Sequence, residues 1–378
     1  MSAPAAALRT ELIQRFRDGA DAPLPDADFN ALALRVFAHN FASVPAYQAY
    51  CAARDRTPDT VRRWTGIPAV PTAAFKELPL HDEAVTVERV FHTSGTTRGR
   101  ERRGEHHVGD LELYRASLRA SFTAFLLPDG ARPRMLSLMP PADALPDSSL
   151  AFMITDVMAA FGADGSRTFA DADGLDYAAL DRAMAGAADA AEPVLVLGTS
   201  SAFIHWLDRL ADDGRTFTLP AGSRLMDTGG FKGRGRRLEP HELRDAYAER
   251  LGLPAWACVN EYGMTELLSQ YYDDALRSRL TGGAPTPEPP SGSGARRKRG
   301  PGWLRSVAVD PETLSPLPDG RTGLLRHVDL ANVYSVATVQ TEDLGRIEAD
   351  GLVVEGRAGG APARGCSIAM DLLLEEAP

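Results

Sequence analysis

The chain of 378 residues is long enough for one large domain with subdomains or for two domains. Its 44% hydrophobic and 24% charged residues are typical of a globular protein, and its net charge of −10 gives no general electrostatic basis for binding nucleic acid. The three cysteines form no Cys-x-x-Cys pair, so we expect neither a disulfide framework nor a zinc ribbon. No apolar run is long enough to span a bilayer, and the N-terminus lacks a signal-peptide pattern. We therefore expect a cytoplasmic protein without a membrane span.

The first third of the chain is predicted to be mainly helical. Apolar residues recur at helical spacing over residues 7–18 and 29–50, and Pro45 is expected to end or kink the second helix. Residues 85–91 have the apolar pattern of a strand, and residues 110–127 have that of another helix. The strand leads directly into a stretch rich in Ser, Thr and Gly.

From residue 135 onward, short apolar strands alternate with helices. The strands are predicted over residues 135–139, 194–197, 224–227 and 255–259. The helices are predicted over residues 149–161, 175–187, 203–210 and 240–251. This alternation implies an α/β fold with right-handed crossovers and a mostly parallel sheet. Ligands bind at the carboxyl ends of such strands, so three polar turns are expected to lie along one sheet edge, namely residues 198–201, 228–231 and 260–266.

The composition changes after residue 280. Residues 281–302 are rich in Gly, Pro and Ser and are predicted to form a mobile loop or a partly disordered insertion. The basic run Arg296–Arg299 within it is expected to be exposed to solvent, and contact with phosphate or a partner is the alternative. Residues 303–356 are predicted to form a small β subdomain. Its strands are expected over residues 304–309, 323–329 and 351–355.

The stretch His92–Arg100 combines small hydroxyl residues, glycines and arginines. Hydroxyl and backbone N–H groups can close around phosphate oxygens, and glycine lets the backbone approach closely. The stretch is not a Walker A loop, because no Gly-Lys-Ser/Thr follows at the required spacing. It predicts a phosphate-binding loop, although runs of this composition also form plain turns.

A second stretch, Asn260–Glu266, has the sequence Asn-Glu-Tyr-Gly-Met-Thr-Glu. Together and in this order, the two stretches resemble the phosphate loop and the Tyr-Gly-x-Thr-Glu motif of the adenylate-forming superfamily of acyl-CoA synthetases, luciferases and peptide-synthetase adenylation domains. The resemblance implies a fold like the large N-terminal domain of those enzymes. It also implies that ATP and Mg²⁺ are used to activate a carboxylic acid as an acyl-adenylate.

The same resemblance implies roles for individual residues. Thr265 would contact the α-phosphate and Glu266 would bind Mg²⁺, which prefers carboxylate and phosphate oxygens, so both are candidate catalytic residues. Tyr262 would lie on or near adenine, Asp343 would accept both ribose hydroxyls, and Arg357 matches the arginine of the hinge motif. The remaining candidates for the ATP site are Thr93, Ser94, Gly95, Thr96 and Thr97 for the β- and γ-phosphates, Gly229 and Gly230 near adenine, and Gly263 and Met264 within the second motif.

The phosphate loop departs from the superfamily pattern. It lacks the usual lysine and continues as Arg98–Arg102, so it stays open which basic residue supplies the positive charge. Lys232 is one candidate, and the equal alternative is that it is an exposed charge in a loop. His92 is a candidate contact of the acyl carboxylate, and His106 and His107 are predicted to be polar loop residues.

The C-terminus departs as well. Full-length members of the superfamily carry a mobile domain with a catalytic lysine after the hinge, whereas only residues 358–378 follow here. We therefore expect a large domain over residues 1–356, with its β subdomain at 303–356, and a short tail over residues 357–378.

That tail contains Arg364, Gly365 and Cys366. A thiolate is a strong nucleophile, and an adjacent arginine and glycine can lower the pKa of a thiol and keep it accessible. The alternative is a small buried residue, which is what we expect of Cys51 and Cys258. With this segment the whole chain is similar to the acyl-protein synthetase (LuxE) family. The matching segments are residues 75–77, 93–97, 148–150, 228–232, 261–266 and 364–366.

This resemblance implies that a carboxylic acid, with fatty acid as the leading candidate, is activated as its adenylate and transferred to Cys366 as a thioester. The acyl group would then pass to a partner acyl reductase. Two alternatives stay open. In one, coenzyme A or a carrier protein takes the acyl group and Cys366 is structural; in the other, the chain is a non-catalytic nucleotide-binding subunit.

Overall fold

The computed structural model describes residues 3–93, 103–171, 173–229, 238–283, 296–349 and 351–358, and in the tail residues 366, 369, 370, 373 and 374. The chain divides into two compact units. The first unit comprises Met1–Ser121, Met264–Gln270 and Arg299–Pro378, and the second comprises Phe122–Gly263 and Tyr271–Lys298. Each unit therefore combines segments that are distant in the sequence.

Helices and strands are distributed along the whole chain. The helices are α1 (Ala3–Arg17), α2 (Asp26–Ser43), α3 (Pro45–Ala52), α4 (Leu111–Leu126), α5 (Ser149–Phe161), α6 (Tyr177–Asp189), α7 (Ser200–Asp212), α8 (Pro240–Leu251) and α9 (Ala275–Leu280). The strands are β1 (Val70–Pro71), β2 (Arg89–His92), β3 (Glu105–Val108), β4 (Arg134–Ser137), β5 (Arg167–Thr168), β6 (Ala170–Asp171), β7 (Gly174–Leu175), β8 (Val194–Thr199), β9 (Arg224–Thr228), β10 (Cys258–Tyr262), β11 (Tyr271–Asp273), β12 (Lys298–Arg299), β13 (Leu304–Val309), β14 (Gly323–Asp329), β15 (Thr338–Glu348) and β16 (Gly351–Arg357).

The first unit is built on an antiparallel sheet. Its strands follow the order β13-β14-β15-β16, and the short strand β1 runs parallel to β15. Strands β2 and β3 form a separate antiparallel hairpin. The strands predicted over residues 304–309 and 323–329 are confirmed with the same bounds. The sequence pattern did not indicate β15, because polar residues such as Glu342 and Asp343 interrupt its apolar alternation.

The second unit contains a mostly parallel sheet in the order β11-β10-β9-β8-β4-β5, in which β11 is antiparallel to β10. The predicted α/β class and parallel sheet are therefore confirmed. Buried apolar side chains from both layers form the core of this unit: Val196 and Leu225 come from the sheet, and Trp206 and Tyr247 come from the helices. Burial of such side chains is the main favourable term in folding.

Local capping signals explain two helices whose predicted bounds are confirmed. Helix α5 follows Ser148, whose hydroxyl accepts a hydrogen bond from the Ala151 backbone N–H at 3.2 Å. Helix α8 begins with a capping box formed by Glu239 and Glu242, and it ends at Gly252 with a φ of 69°.

In the described part of the chain, no helix is both long and apolar enough to cross a membrane.

One local prediction about a helix is confirmed, and two predicted strands begin later than expected. As expected at Pro45, the second predicted helix is interrupted: α2 ends at Ser43 and α3 begins at Pro45. The strand predicted over residues 85–91 begins only at Arg89. The strand predicted over residues 255–259 begins only at Cys258, because a 3₁₀ turn following Pro254 covers the preceding residues.

The basic run Arg296–Arg299 was predicted to be exposed to solvent, but two of its residues are buried. Arg296 and Lys298 are only 4% and 7% exposed. The Arg296 guanidinium donates to the main-chain oxygens of Cys258 and Ala255, each at 3.1 Å. The composition suggested a solvated loop, but acceptors that are distant in the sequence compensate these charges inside the second unit. Residues 284–295 of the predicted mobile loop lie outside the described residues.

Candidate active site

The hairpin of β2 and β3 flanks the predicted phosphate loop. The Thr93 backbone N–H donates to the Gly104 oxygen at 2.9 Å, and the Gly104 N–H donates to Thr93 Oγ1 at 2.9 Å. The Arg103 guanidinium donates to the carbonyl oxygens of Thr93 and His92, at 2.7 and 3.3 Å. These contacts close the hairpin on both sides of the loop. The loop candidates Ser94, Gly95, Thr96 and Thr97 lie outside the described residues, as do Arg98–Arg102.

The second motif contacts this hairpin through Thr265. The Thr265 carbonyl oxygen accepts a hydrogen bond from His106 Nδ1 at 2.7 Å, and its hydroxyl donates to the His92 carbonyl oxygen at 3.5 Å. His106 is 1% exposed, and its ring packs edge-on against that of Phe75 with the centroids 5.8 Å apart. Burial lowers the pKa of His106 to about 4, so the neutral imidazole donates through Nδ1–H. His106 and His107 both lie on β3, and His106 faces inward, which corrects their prediction as polar loop residues.

Buried polar contacts hold the residues that follow Thr265. The carbonyl oxygen of Glu266 accepts a hydrogen bond from Asn332 Nδ2 at 2.9 Å. Asp329 accepts from the Leu268 N–H at 2.8 Å and from Ser269 Oγ at 2.7 Å. Burial raises the pKa of Asp329 to about 6, although these hydrogen bonds favour its charged form. The backbone around Glu266 is therefore held by two side chains at the end of β14, namely Asp329, its last residue, and Asn332, which follows shortly after it.

Glu266 suits the predicted Mg²⁺ in its chemistry. Glu266 is 6% exposed, and its carboxylate is a hard oxygen ligand. The described part of the chain contains no group of three or more His, Cys, Asp or Glu side chains that could enclose a metal. Mg²⁺ typically binds through one or two carboxylates together with substrate phosphates, so a single buried carboxylate fits this ion.

In the second unit, polar residues lie side by side at the carboxyl ends of parallel strands. Thr199 on β8 pairs with Thr228 on β9, which pairs with Glu261 on β10. The Thr228 hydroxyl donates to the Glu261 carboxylate, and Ser200 Oγ donates to the Gly229 carbonyl oxygen at 3.1 Å. The predicted meeting of polar turns at one sheet edge is confirmed for the described residues of this unit.

Candidate residues for adenine binding extend from this edge. Gly229 follows β9 with a φ of 90°, a conformation that favours glycine. Tyr262 ends β10, is half-buried, and has its ring centroid 6.1 Å from that of Tyr271. Gly263 follows it. Gly230 lies outside the described residues, as does Lys232.

A buried charged network behind this edge was not recognised from the sequence. Lys298 Nζ donates to the side-chain and main-chain oxygens of Asn260, at 2.6 and 3.0 Å. The Asn260 amide donates to Asp227, which also accepts from the Tyr247 hydroxyl at 2.8 Å. Burial raises the pKa of the adjacent Glu261 to about 7. The sequence did contain a signal for this network, the basic run Arg296–Arg299 after the second motif. The surrounding residues are rich in Gly, Pro and Ser, however, and this composition favoured a solvated loop.

Asp343 and Arg357 occupy paired positions on β15 and β16 in the first unit. Arg357 Nε lies 3.9 Å from Asp343 Oδ1, and its NH2 group lies 3.4 Å from a carboxylate oxygen of Glu342. Both predicted residues therefore belong to one strand pair. Their roles in ribose binding and at the hinge stay predictions.

Cys366 differs from the exposed, activated thiol that its neighbours in the sequence predict. It is 5% exposed and packs in an apolar cluster with Val309 and Leu324. Burial and the nearby Glu342 raise its pKa to about 11, although Arg326 opposes the shift. The expectation of an accessible thiol with a low pKa is thus wrong for this conformation, because contacts with the sheet outweigh the local sequence. As predicted, Cys51 and Cys258 are also buried.

The fold therefore brings some candidates together within each unit. In the first unit, Thr265 and its neighbours Met264 and Glu266 join the β2–β3 hairpin, whereas Asp343 and Arg357 share a different strand pair. In the second unit, Gly229 and Tyr262 extend from adjacent strands. His92 Nε2, a candidate contact of the acyl carboxylate, lies 3.8 Å from Glu105 Oε1.

Comparison with known structures shows which fold this is. The chain is similar to 2-hydroxyisobutyryl-CoA ligase in complex with 2-HIB-AMP and CoA, at 13% identity and a TM-score of 0.58, over 88% of this chain and 71% of that one. It is also similar to ATP-bound MatB from Rhodopseudomonas palustris, at 18% identity and a TM-score of 0.50, over 81% of this chain and 56% of that one. The predicted fold of the adenylate-forming enzymes is thus confirmed.

Sequence comparison identifies the family. A long-chain-fatty-acid–luciferin-component ligase of Aliivibrio fischeri is 33% identical over 90 residues, which are 21% of this chain and 24% of that ligase. The aligned part thus spans about a quarter of this relative's length. The family model described as "Acyl-protein synthetase, LuxE" matches residues 25–374, which include both motifs and Cys366. The chain therefore belongs to the acyl-protein synthetase (LuxE) family.

Proposed function

We propose that this protein is an AMP-forming ligase that uses ATP to activate a carboxylic acid as an acyl-adenylate. The observation that carries the proposal is the pair of contacts from Thr265 to His106 and His92. They join the Thr-Glu end of the second motif to the hairpin that flanks the Ser/Thr/Gly loop. The described residues that border the loop in the sequence thus lie in a hairpin that Thr265 contacts, which supports a phosphate site formed by both segments.

In the proposed reaction, a carboxylate oxygen of the acid attacks the α-phosphorus of ATP. The bond from that phosphorus to the bridging oxygen of the β-phosphate breaks, and pyrophosphate leaves with its electron pair. Thr265 would orient the α-phosphate, Thr93 and the loop residues after it would hold the β- and γ-phosphates, and Tyr262 would contact adenine. Glu266 would hold Mg²⁺, which supplies charge stabilisation at the phosphates when bound. Similarity to ATP-bound MatB supports ATP as the nucleotide.

For the second half-reaction, we propose Cys366 as the acyl acceptor within a tail over residues 357–378. Its sulfur would attack the acyl carbonyl carbon, the bond from that carbon to the phosphate oxygen would break, and AMP would leave. The thiol proton would pass to solvent. Because Cys366 is 5% exposed, the reaction needs a conformation in which the thiol leaves its apolar cluster. The name of the Aliivibrio fischeri relative supports a long-chain fatty acid as substrate, with an acyl reductase as a possible later acceptor.

A second candidate function is transfer of the acyl group to coenzyme A or a carrier protein. The burial of Cys366 and its pKa of about 11 favour this alternative, because a protonated, covered thiol is a poor nucleophile. The complex of 2-hydroxyisobutyryl-CoA ligase with CoA shows that a protein of this fold binds that thiol. In this case Cys366 would have a structural role.

Intact-mass measurement after incubation with Mg-ATP and a panel of carboxylic acids distinguishes these functions. Self-acylation predicts a mass gain equal to the acid minus water, which hydroxylamine removes and Cys366→Ala abolishes. Cys51→Ala is the matched control, because Cys51 is also buried in the first unit, and it should keep the adduct. AMP release that requires added coenzyme A or a carrier protein would favour the second candidate. If no acid produces an adduct or AMP, even when an acyl reductase is present, the result would favour a non-catalytic nucleotide-binding subunit.

A further inference from the structure

We propose that Lys298 is a positioning residue for the nucleotide: its ammonium group holds Asn260, and thereby sets the carboxyl ends of β9 and β10 for binding the adenosine part of ATP. The inference rests on the proposed function for the identity of the nucleotide. The adenylation chemistry described above assigns no role to Lys298, whose surroundings in the sequence suggested an exposed loop.

The contacts of Lys298 are directed at one residue. Its Nζ donates to Asn260 Oδ1 at 2.6 Å and to the Asn260 carbonyl oxygen at 3.0 Å. Lys298 is 7% exposed, and burial lowers its pKa while Asp273, Asp227 and Glu261 oppose this shift. A buried ammonium group is costly unless hydrogen bonds and opposite charges compensate it, and Lys298 has both.

Asn260 is held from three sides. Besides its two contacts with Lys298, its side-chain amide donates to Asp227, and its backbone N–H donates to Asp273 Oδ2 at 2.7 Å. The main-chain and side-chain polar groups of Asn260 are therefore all engaged by charged residues on neighbouring elements. Such a network permits one orientation of the side-chain amide, because reversing it would place Lys298 against an NH₂ group.

The position of Asn260 connects this network to the candidate adenine site. Asn260 on β10 pairs with Asp227 on the parallel strand β9. Asn260 immediately precedes Glu261, and Asp227 immediately precedes Thr228, and these two residues lie at the carboxyl ends of their strands. Thr228 donates to Glu261, and the next residues along the chain are the candidates Gly229 and Tyr262.

The ammonium group also balances charge behind that edge. Asp227, Glu261 and Asp273 all interact electrostatically with it, while Arg296 lies 3.5 Å from Asp273. Without Lys298, Asp227 and Glu261 would keep their mutual repulsion but lose a cation whose charge stabilises both carboxylates. We therefore expect the edge to widen and the nucleotide to bind more weakly.

Lys298→Met tests this inference, since it removes the charge and keeps an unbranched side chain. In an ATP–pyrophosphate exchange assay, the KM for ATP should rise about tenfold, as expected for the loss of a hydrogen bond to a charged group, with little change in kcat. Lys298→Arg should restore part of the affinity. A purely structural role would instead lower the melting temperature and the fraction of active protein while the KM for ATP stayed the same.

Arg297→Met is the matched control. It removes a cation from the same segment, but Arg297 NH2 lies 3.8 Å from Asp274 Oδ2, and no described contact joins it to Asn260. Its KM for ATP should equal that of the wild type. If Lys298→Met does not fold, Asn260→Ala should show the same increase in KM. An unchanged KM in every variant of Lys298 and Asn260 that folds would overturn the inference.

Calorimetric titration with α,β-methylene-ATP in the absence of an acid separates this inference from the proposed function. If the wild type supports no exchange with any acid but binds the analogue, the proposed function fails. In that case, weaker binding by Lys298→Met than by Arg297→Met still supports the role of Lys298, whereas equal binding refutes it. If the wild type does not bind the analogue at all, both proposals are wrong.

Discussion

His106 Nδ1 donates a hydrogen bond to the carbonyl oxygen of Thr265 at 2.7 Å, joining residues 159 positions apart in the sequence. The donor lies on β3, which follows the Ser/Thr/Gly stretch in the sequence, and the acceptor lies in the second motif. Because burial lowers the pKa of His106 to about 4, this contact persists as a neutral hydrogen bond around neutral pH. Within the first unit, it ties together the two segments that carry the proposed phosphate site.

His106→Leu should therefore weaken catalysis. Leaving the partly buried Thr265 carbonyl oxygen without its donor costs about 1 kcal/mol or more, so kcat/KM in ATP–pyrophosphate exchange should fall about fivefold or more. His106→Asn is the matched variant, because its side-chain amide can donate from nearly the same position as Nδ1. It should retain more activity than His106→Leu. Equal activity in the two variants would contradict a role for this hydrogen bond.

Glu261→Gln should change how stability depends on pH. Burial raises the pKa of Glu261 from 4.5 to about 7, against the hydrogen bond from Thr228 and the charge of Lys298, while Asp227 reinforces the increase. The folded state therefore holds a proton that the unfolded state releases, and the resulting stability is present below pH 4.5 and lost as the pH rises towards 7.

The amide variant mimics the protonated side chain and does not titrate. Between pH 4.5 and 7, the melting temperature of the wild type should fall relative to that of Glu261→Gln, by roughly 2–4 °C for each kcal/mol of lost stability. Glu312→Gln, in an exposed turn, serves as the control and should follow the wild type. Parallel curves for the wild type and Glu261→Gln would show that Glu261 does not titrate in this range.

Asp343→Asn should weaken nucleotide binding if Asp343 accepts the ribose hydroxyls. The KM for ATP should rise about tenfold, because a hydrogen bond to a charged acceptor is lost. The sharper measurement compares ATP with 2′,3′-dideoxy-ATP: the wild type should discriminate between them, and Asp343→Asn should discriminate much less. Asp319→Asn, in an exposed turn, should behave like the wild type. Undiminished discrimination by Asp343→Asn would assign the ribose contact to another residue.

Cys366 should react slowly with iodoacetamide in the native protein. It is 5% exposed, and its pKa is about 11, so the labelling rate should rise about tenfold per pH unit below that value, in proportion to the thiolate fraction. Cys51, with a pKa of about 12, and Cys258, whose pKa is raised further by burial, should be labelled later. Peptide mapping over time measures this order. Fast labelling of Cys366 at neutral pH would reveal a populated conformation in which the thiol is exposed and activated.

Much of the architecture could be predicted because it depends on local patterns. Apolar periodicity indicated the strands and helices of the second unit, and capping residues such as Ser148 and Glu239 explain why helix bounds could be predicted closely. The strand β15 escaped prediction, because the polar residues that make it a candidate ribose site also obscure its strand pattern. Similarly, His106 was assigned to a loop, since its short strand is specified mainly by pairing with β2.

The sequence by itself determined the fold class, the two motifs and the family, because these depend on residue types, spacing and order along the chain. Only the tertiary structure decided which polar residues meet and which are buried. It placed Lys298 behind Asn260 rather than in solvent, and it covered Cys366 with apolar side chains despite the arginine and glycine before it in the sequence. The physical reason is that burial and charge compensation depend on neighbours brought from distant segments, and these neighbours determine whether a lysine is a solvated charge and whether a cysteine is ionised.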